Sequence, residues 1–480
     1  MVPTLEPSGA GPHLTTLRGW GRATASRATV TRPASPDVVA ERLAAAGRRG
    51  VIARGLGRSY GDAAQNAGGQ VLSMTGLGRV RAFDPTAGVV VAEAGCSIAR
   101  LLRLVLPAGW WLPAAPGTRF VTLGGAVAND VHGKAHRWEG SIRRAVRSLE
   151  LLTPARGVVV VTPEATPELF SATLGGLGLT GIVLTVTLQL RRIETSWMRL
   201  RSERAADLSD ALHRMAADDP APYVVAWVDC LATGMRLGRS VLTWADHARL
   251  GELPAAASRR PLRFAPRRWL TIPPGVPDGL LGRPVAAAFN RAKFARTPTA
   301  RTERLVPLAD SFWPLDAVGG WNRLYGPSGF VQYQFAVPDG AEAVLEQVVG
   351  SLTRARCPSF LGVLKRLGAG AGMLSFPIPG WTLAVDLPAG QPGLRRLLDG
   401  FDELVAEAGG RVYLAKDARL RRAPFEAMYP ELGAWLRVRE RVDPSGTLRS
   451  DLGRRLRLDD PATAVAGLRP APVAAGGQGA

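Results

Sequence analysis

The sequence predicts an α+β protein whose first 193 residues form one unit built around three glycine-rich loops. Two observations predict this class. Apolar runs of strand length alternate with helix signals throughout this region. Glycine-rich stretches interrupt them at residues 53–66, 116–134 and 175–181, where glycine lets the backbone approach a ligand closely. Beyond residue 193 the pattern changes, and the length of 480 residues allows a second domain with its own core.

Local signals place the elements of the first unit. Ser35 and Pro36 predict the start of a helix that ends at Gly47, and Ser97 predicts the cap of a helix that Gly109 closes. The other expected elements are strands near 51–53, 71–74, 80–84 and 89–95, a hairpin around 154–157, a helix at 167–174 and a strand at 182–192.

After residue 193, strand-like runs flank a weakly patterned, Pro- and Arg-rich region at about 250–310. We expect strands at 223–230, 330–338, 359–365 and 381–388, a helix from Phe425 to Arg441, and a disordered Ala-, Gly- and Pro-rich tail at 459–480. Within residues 330–338, Gln332 and Gln334 share one face of the strand. That face suits a sheet lining a polar cavity and a sheet facing solvent equally well.

The net charge of +20 indicates an anionic partner. We expect no nucleic acid, because the arginines are spread along the chain without a basic tail, zinc-finger or RNP-type signature. A phosphorylated substrate or an anionic lipid fits better. Only four of the 60 basic residues are lysines, namely Lys134, Lys293, Lys365 and Lys416. These four lysines are candidates for positions that need a compact or deprotonatable amine. An arginine-rich composition that kept four lysines by chance would show the same pattern.

Cysteines and apolar runs limit the class of protein further. Cys96, Cys230 and Cys357 are too few and too scattered for a disulfide framework or a metal site. No apolar run approaches the roughly 18 residues of a membrane span, and the first residues lack the apolar core of a signal peptide. We therefore expect no metal, and a protein that is cytoplasmic or peripheral at the plasma membrane.

Residues 116–134 form the central stretch of the first unit. Thr122 is expected to cap a turn starting at Gly124 and Gly125, directing their N–H groups towards an anion. His132 and Lys134 add titratable groups beside that turn. A purely structural glycine-rich loop with a surface histidine would contain the same residues.

The three glycine-rich stretches together resemble those of the vanillyl-alcohol-oxidase type of FAD flavoenzyme, in which paired glycine loops hold the FAD pyrophosphate. Further motifs, LRGWGR, WNRLYGPSGFVQYQF, LSFPIPGW and YLAKD, resemble the decaprenylphosphoryl-β-D-ribose oxidase family across roughly residues 17–457. The resemblance implies a two-lobed FAD-binding domain, formed by 1–193 and completed by a return segment at 411–458. A substrate domain built on an antiparallel sheet would span 194–410. FAD would be non-covalent, because the first loop offers no His or Cys at residues 57–61.

Carried over to this chain, the resemblance implies a set of site residues. Those implied for FAD are Ala53, Arg54, Gly55, Leu56, Gly57, Arg58, Ser59, Tyr60, Gly61, Asp62, Ala63, Gly117, Thr122, Leu123, Gly124, Gly125, Asn129, Asp130, Val131, His132, Val183 and Tyr413. Those implied for the substrate are Lys134, Gln332, Gln334, Lys365, Thr382 and Ala384. Lys416, Tyr60 and His132 are implied for catalysis. Lys416 would position and deprotonate a sugar hydroxyl, or would only hold flavin or substrate by hydrogen bonds.

The activity implied is oxidation of the ribose 2-hydroxyl of a prenyl-phosphoryl pentose to a ketone. An NAD-dependent ketoreductase would complete the epimerisation that supplies cell-wall arabinan. Several positions depart from the family pattern: Ala384 and Asn129 stand where the family carries Cys, Thr382 where it carries Asn, and Phe312-Trp313 where it carries Tyr-His. An oxidase of free alditols or aldonolactones is therefore the alternative in the same class. A basic binding protein without catalysis is the alternative from another class.

Overall fold

The chain begins with a small mixed sheet that carries the first glycine-rich loop. The computed structural model describes residues 11–217 and 220–459. Four strands form this sheet in the order β1-β2-β4-β3: β1 (His13–Arg18), β2 (Ala25–Thr31), β3 (Val51–Arg54) and β4 (Gln70–Ser73). Helix α1 (Pro36–Ala44) connects β2 to β3, and the Ser35 hydroxyl accepts a hydrogen bond from the N–H of Val38. The start expected for this helix is confirmed.

A five-stranded antiparallel sheet follows and supports the second and third glycine-rich stretches. The strands of this region are β5 (Val80–Asp84), β6 (Val89–Glu93), β7 (Trp110–Trp111), β8 (Val146–Thr153), β9 (Gly157–Val161), β10 (Ile182–Gln189) and β11 (Arg191–Arg192). The sheet order is β5-β6-β10-β8-β9, and β7 pairs with β11. The helices are α2 (Ile98–Val105), α3 (Leu123–Ala128), α4 (His136–Glu139) and α5 (Pro167–Thr173). Ser97 caps α2 as expected.

The rest of the chain builds an eight-stranded antiparallel sheet. The strands are β12 (Trp197–Ala205), β13 (Tyr223–Val228), β14 (Ser240–His247), β15 (Leu270–Thr271), β16 (Thr302–Pro307), β17 (Val318–Gly319), β18 (Phe330–Pro338), β19 (Gly362–Leu367), β20 (Gly380–Pro388) and β21 (Arg411–Val412). The order is β16-β12-β14-β13-β19-β20-β18-β21, with β15 and β17 as a separate parallel pair. The α+β class is confirmed, whereas the domain limits at 193 and 410 stay a prediction.

Helices cover this sheet and return the chain towards the first one. They are α6 (Leu208–Ala216), α7 (Ala255–Ser258), α8 (Arg283–Arg296), α9 (Leu308–Phe312), α10 (Glu342–Arg354), α11 (Leu394–Glu407), α12 (Arg422–Met428), α13 (Leu432–Val442) and α14 (Asp451–Arg455). No helix within residues 11–217 and 220–459 is both long and apolar enough to cross a membrane. Of the expected tail, Asp459 is described and buried, and residues 460–480 lie outside the described residues.

The pairing of β18 with β20 settles which face of β18 carries the two glutamines. Gln332 lies opposite Asp386, and Gln334 lies opposite Ala384. The alternate residues, including Tyr333, enter the main hydrophobic core. Gln332 and Gln334 are 8% and 3% exposed, so their face is turned to the interior and not to solvent. The expectation of a polar interior face is the correct one of the two alternatives.

Two expected elements differ in the structure. The weakly patterned region at 250–310 contains the 14-residue helix α8, which buries only Ala286 and Asn290 and therefore leaves little apolar periodicity in the sequence. The single helix expected from Phe425 to Arg441 is two helices, α12 and α13. Pro430 lies between them, and proline lacks the N–H that a continuous helix would need there.

Arg455, in the last described helix, connects distant parts of the chain. Its guanidinium donates to both carboxylate oxygens of Asp62 at 2.8 and 3.0 Å and to Asp417 at 2.8 Å. It also donates to the Leu420 carbonyl at 2.6 Å. Burial alone would raise the pKa of Asp417, but Arg455 and nearby backbone N–H groups outweigh burial and lower it. One cation thus holds the first glycine-rich loop against the turn that follows β21.

Replacing this cation should destabilise the fold. Arg455→Met removes the cation from two buried carboxylates and leaves Asp417 only its backbone N–H donors, which costs about 3–5 kcal/mol of the free energy of unfolding. Urea denaturation of the purified variant measures this loss. Arg441→Met, which breaks an exposed pair with Glu168, is the matched control and should change little. Equal stability of the two variants would contradict the role of Arg455.

Candidate active site

A cavity of about 650 Å³ lies where the three parts of the fold meet. This volume is within the range of small-molecule sites. Its wall includes most of the predicted site residues: Ala53, Arg54, Gly55, Leu56, Gly57, Arg58, Ser59, Tyr60, Ala63, Gly117, Thr122, Gly124, Gly125, Asn129, Val131, His132, Lys134, Val183, Gln332, Gln334, Lys365, Ala384, Tyr413 and Lys416. The fold thus brings residues that are far apart in the sequence, from Ala53 to Lys416, into the wall of one cavity.

Five predicted site residues do not line this cavity: Gly61, Asp62, Leu123, Asp130 and Thr382. Each of them contacts other parts of the protein instead. A Cβ at Gly61 would lie 1.9 Å from the Asp417 carbonyl, Leu123 is in the core, and Asp62 binds Arg455. Asp130 is buried beside Arg143, and the Thr382 hydroxyl donates to the Phe335 carbonyl at 2.8 Å. These residues therefore support the cavity wall without lining it.

Backbone amides in the wall suit a pyrophosphate. Residues 56–59 and 117–118 line the cavity, and their N–H groups have no protein acceptor within the described part of the chain. The two loops touch, since a Cβ at Gly55 would lie 2.1 Å from the Thr122 hydroxyl. Successive unpaired amides form an anion-binding concavity. The residues present therefore fit the diphosphate group of FAD.

The start of α3 behaves differently from the sequence expectation. Thr122 does cap it, accepting from the N–H of Gly125 at 3.3 Å. The N–H of Leu123, however, donates to the Cys96 carbonyl, and that of Gly124 donates to the Ala94 carbonyl. The expectation that this turn directs its amides towards an anion is wrong, because these amides fasten the loop to the segment after β6.

Lys416 lines the cavity, and the buried Asp386 interacts with it electrostatically. The Lys416 ammonium group is 3.6 Å from the centroid of the Tyr60 ring, and Gln332 donates to Asp386 at 2.5 Å. Burial lowers the pKa of Lys416 to about 7, although Asp386 opposes this shift. Burial also raises the pKa of Asp386 to about 7, with Gln332 and Lys416 opposing. Both groups therefore titrate near neutral pH, and a lysine that does so suits general acid–base chemistry.

The surroundings of His132 favour the neutral form of its imidazole. Burial lowers its pKa well below the usual range, and the nearby Lys365, His136 and Lys416 lower it further. Gln334 approaches its Nε2 through an amide nitrogen at 3.0 Å, so Nε2 accepts and the proton belongs on Nδ1. That Nδ1 atom is buried without a partner among the described residues. His132 can therefore donate one hydrogen bond to a ligand.

All four lysines of the sequence line the cavity. Lys134 donates to the Ser311 carbonyl at 2.6 Å, and Lys293 lies over the Trp227 ring. Burial lowers the pKa of Lys134 to about 8, and Lys365 and Lys293 add to the shift. Burial likewise lowers the pKa of Lys365 to about 8. Clustered amines that repel each other are stabilised when an anion binds among them.

Asp386 is the residue that sequence reasoning missed. It is fully buried on β20, and one carboxylate oxygen has no partner among the described residues. Asp386 shares strand parity with Thr382 and Ala384, so the two-residue period could have placed it on the cavity side. An aspartate within an otherwise apolar strand was the available signal. Lys293 was ranked by composition but not assigned to the site.

Comparisons with known proteins agree with this geometry. A family model for the FAD binding domain matches residues 28–163, and one for D-arabinono-1,4-lactone oxidase matches residues 387–456. Decaprenylphosphoryl-beta-D-ribose oxidase of Mycolicibacterium smegmatis is 40% identical over 449 residues, covering 92% of this chain and 97% of that protein. A Streptomyces coelicolor protein described as "Uncharacterized protein in mprA 5'region" is 45% identical over 370 residues, covering 75% and 99%. L-galactono-1,4-lactone dehydrogenase 2 of Oryza sativa subsp. japonica is 32% identical over 160 residues, covering 33% and 27%.

The fold, the amide-lined cavity and the matched FAD domain define an FAD-dependent oxidoreductase of the vanillyl-alcohol-oxidase type. Within that type, the match along nearly the whole chain is more specific. The chain belongs to the decaprenylphosphoryl-β-D-ribose oxidase family.

FAD should be released from this protein without breaking a covalent bond. The first loop offers no His or Cys at residues 57–61, and no cysteine lines the cavity within the described residues. Acid denaturation followed by filtration should therefore place all the yellow colour in the filtrate. Among the described residues that line the wall, His132 is the one histidine. Colour that stays on the wild-type polypeptide but not on His132→Gln would overturn the prediction and locate the bond.

Proposed function

We propose that the protein oxidises the 2-hydroxyl of a prenyl-phosphoryl ribose to a ketone. The observation that carries this proposal is the grouping of Lys134, Lys293 and Lys365 in the same cavity as Lys416, whose pKa is lowered by burial to about 7 and which the buried Asp386 influences. The first three lysines suit a phosphate, and Lys416 suits removal of a hydroxyl proton. The M. smegmatis relative acts, by its name, on decaprenylphosphoryl-β-D-ribose.

In this proposal the residues of the chain divide the work. Bound FAD supplies the acceptor for the hydride that leaves the sugar carbon. The unpaired amides of residues 56–59 and 117–118 hold its pyrophosphate. Lys416 accepts the hydroxyl proton in its neutral form, and Asp386 keeps the ammonium form from becoming too costly to bury. Tyr60 stays protonated, because burial raises the pKa of its phenol well above the usual range, and it can donate to the sugar.

The product requires a second enzyme. A 2-keto sugar becomes the epimeric alcohol only when a hydride is delivered to the opposite face of the ketone. We therefore propose an NAD-dependent ketoreductase as the functional partner. The substrate proposed for both enzymes carries a prenyl chain. Because such a chain resides in a membrane, the proposal includes peripheral contact of the protein with the plasma membrane.

Oxidation of a free aldonolactone or alditol is the second candidate. It is favoured by the match of residues 387–456, which include Lys416, to the D-arabinono-1,4-lactone oxidase family. The lactone-oxidising relative quoted above covers only a third of this chain. Anaerobic bleaching of the flavin by prenyl-phosphoryl ribose, compared with free ribitol and arabinono-lactone, distinguishes the candidates. Bleaching by the free sugars alone would reject the phosphorylated substrate.

Lys416→Ala should keep FAD and the fold but reduce its flavin about 10²–10⁴-fold more slowly, the usual contribution of a general base. Lys416→Arg should not restore the rate, because guanidinium stays protonated. Lys365→Ala is the matched control, and it should weaken substrate binding while leaving the rate at saturating substrate nearly unchanged. Single-turnover stopped-flow measures both quantities. A near wild-type rate for Lys416→Ala would refute its role.

The rate of flavin reduction should depend on pH in a bell shape. It should rise with pH through about 7, where Lys416 loses its proton, and fall above about 8, where Lys134 and Lys365 lose the charge that holds the phosphate.

Asp386→Asn tests the rising limb of that profile. Since Asp386 raises the pKa of Lys416 against the effect of burial, removing its charge should move the limb to lower pH. Ala384→Ser, on the same strand face, is the control and should leave the limb in place. An unmoved limb in Asp386→Asn would contradict the coupling of the two residues.

A further inference from the structure

The segment from Leu253 to Ala300, which contains α8, differs from the rest of the surface. It carries nine basic residues and one acidic residue, Asp278. Five large apolar side chains in it are exposed: Trp269, Leu270, Leu280, Val285 and Phe289, with Trp269 at 74%. We call residues 253–300 the α8 segment. Exposed apolar groups among charges of one sign mark an interaction surface.

The α8 segment is attached to the fold and does not hang free. The N–H of Trp269 donates to the Ala317 carbonyl at 2.9 Å, and β15 pairs with β17. The Phe289 ring lies 6.0 Å from the Phe360 ring. Asn290 donates to the Ser359 carbonyl at 3.0 Å. The exposed apolar side chains are thus held in place on a folded support.

The same segment borders the cavity. Lys293 and Thr297, at the end of α8, line the cavity, whereas Val285 and Phe289 of the same helix are exposed. The cavity wall also contains the exposed Arg304, shortly after the segment. The cavity therefore reaches the surface beside the basic and apolar residues.

We propose that the α8 segment docks on the surface of an anionic lipid bilayer. Arginines attract anionic headgroups, and Trp, Leu and Phe side chains insert at the level between headgroups and acyl chains. A symmetric contact with a second copy would oppose two surfaces of the same charge. A nucleic acid would leave the five apolar side chains in water. This inference rests on the membrane contact of the proposed function and names the surface that makes it, and vesicle binding can be measured whichever sugar the protein oxidises.

Vesicle sedimentation with the FAD-loaded full chain tests the proposal. The protein should sediment with vesicles of phosphatidylcholine mixed with phosphatidylglycerol, and at least about tenfold less with phosphatidylcholine alone. Added salt should weaken the binding, because it screens the arginines. Equal sedimentation with both kinds of vesicle would overturn the electrostatic part of the proposal.

An apolar variant and a matched control locate the surface. Trp269→Ser combined with Phe289→Ser should reduce binding to the mixed vesicles several-fold, since it removes the inserted rings. Val158→Ser combined with Val160→Ser changes two exposed apolar side chains on β9, outside the α8 segment, and should bind like wild type. If the first variant binds like wild type, or both lose binding alike, the α8 segment is not the docking surface.

A charge variant completes the test. Arg260→Glu combined with Arg267→Glu should reduce binding to the mixed vesicles by more than about tenfold, whereas Arg147→Glu with Arg156→Glu should have a much smaller effect. All variants should retain flavin and melt as the wild type does. A concentration-dependent dimer that Trp269→Ser abolishes, without any vesicle binding, would instead assign the surface to a second copy of the chain.

Discussion

The arrangement of the site depends on a single cation near the end of the described chain. Arg455 reaches Asp62 in the first glycine-rich loop and Asp417, the neighbour of Lys416. Both the amides that suit a pyrophosphate and the amine proposed as a base are therefore positioned by the same guanidinium. Because the carboxylates are buried, their geometry is held more firmly than surface pairs would hold it. The β18–β20 register then fixes Gln332 and Asp386 relative to Lys416.

Burial explains why the cavity can combine two chemistries. Lysines that face water remain charged at neutral pH, whereas the four lysines here have their pKa values lowered by removal from water. The amine with a carboxylate close by is suited to proton transfer. The amines without one are suited to an anion. In the proposed function the same residue type thus serves two roles, and the difference between them is the electrostatic influence of Asp386 on Lys416.

Local signals predicted the helices and strands well, because a helix cap or a two-residue strand period depends only on residues close together in the sequence. Ser35, Ser97 and Thr122 cap helices as expected, and Gln332 and Gln334 share the cavity face. The coupling of Asp386 to Lys416 was not predicted, since the two residues are brought together only by the return of the chain after β20. Helix α8 was missed because most of its residues are not buried, so it has little apolar pattern. The family resemblance found most of the cavity wall, but it did not reveal which amides are already used by the protein.

The ion triad of Arg455 also has a consequence for biosynthesis. The first glycine-rich loop is made early during translation, yet the arginine that fixes it is made almost 400 residues later, and β3 likewise waits for Leu448 to lie beside it. The N-terminal sheet can form on the ribosome, as N-terminal units generally do. The cofactor cradle cannot be complete at that stage. We therefore expect FAD to bind only after synthesis has passed Arg455, so that cofactor binding distinguishes chains that contain this arginine from shorter ones.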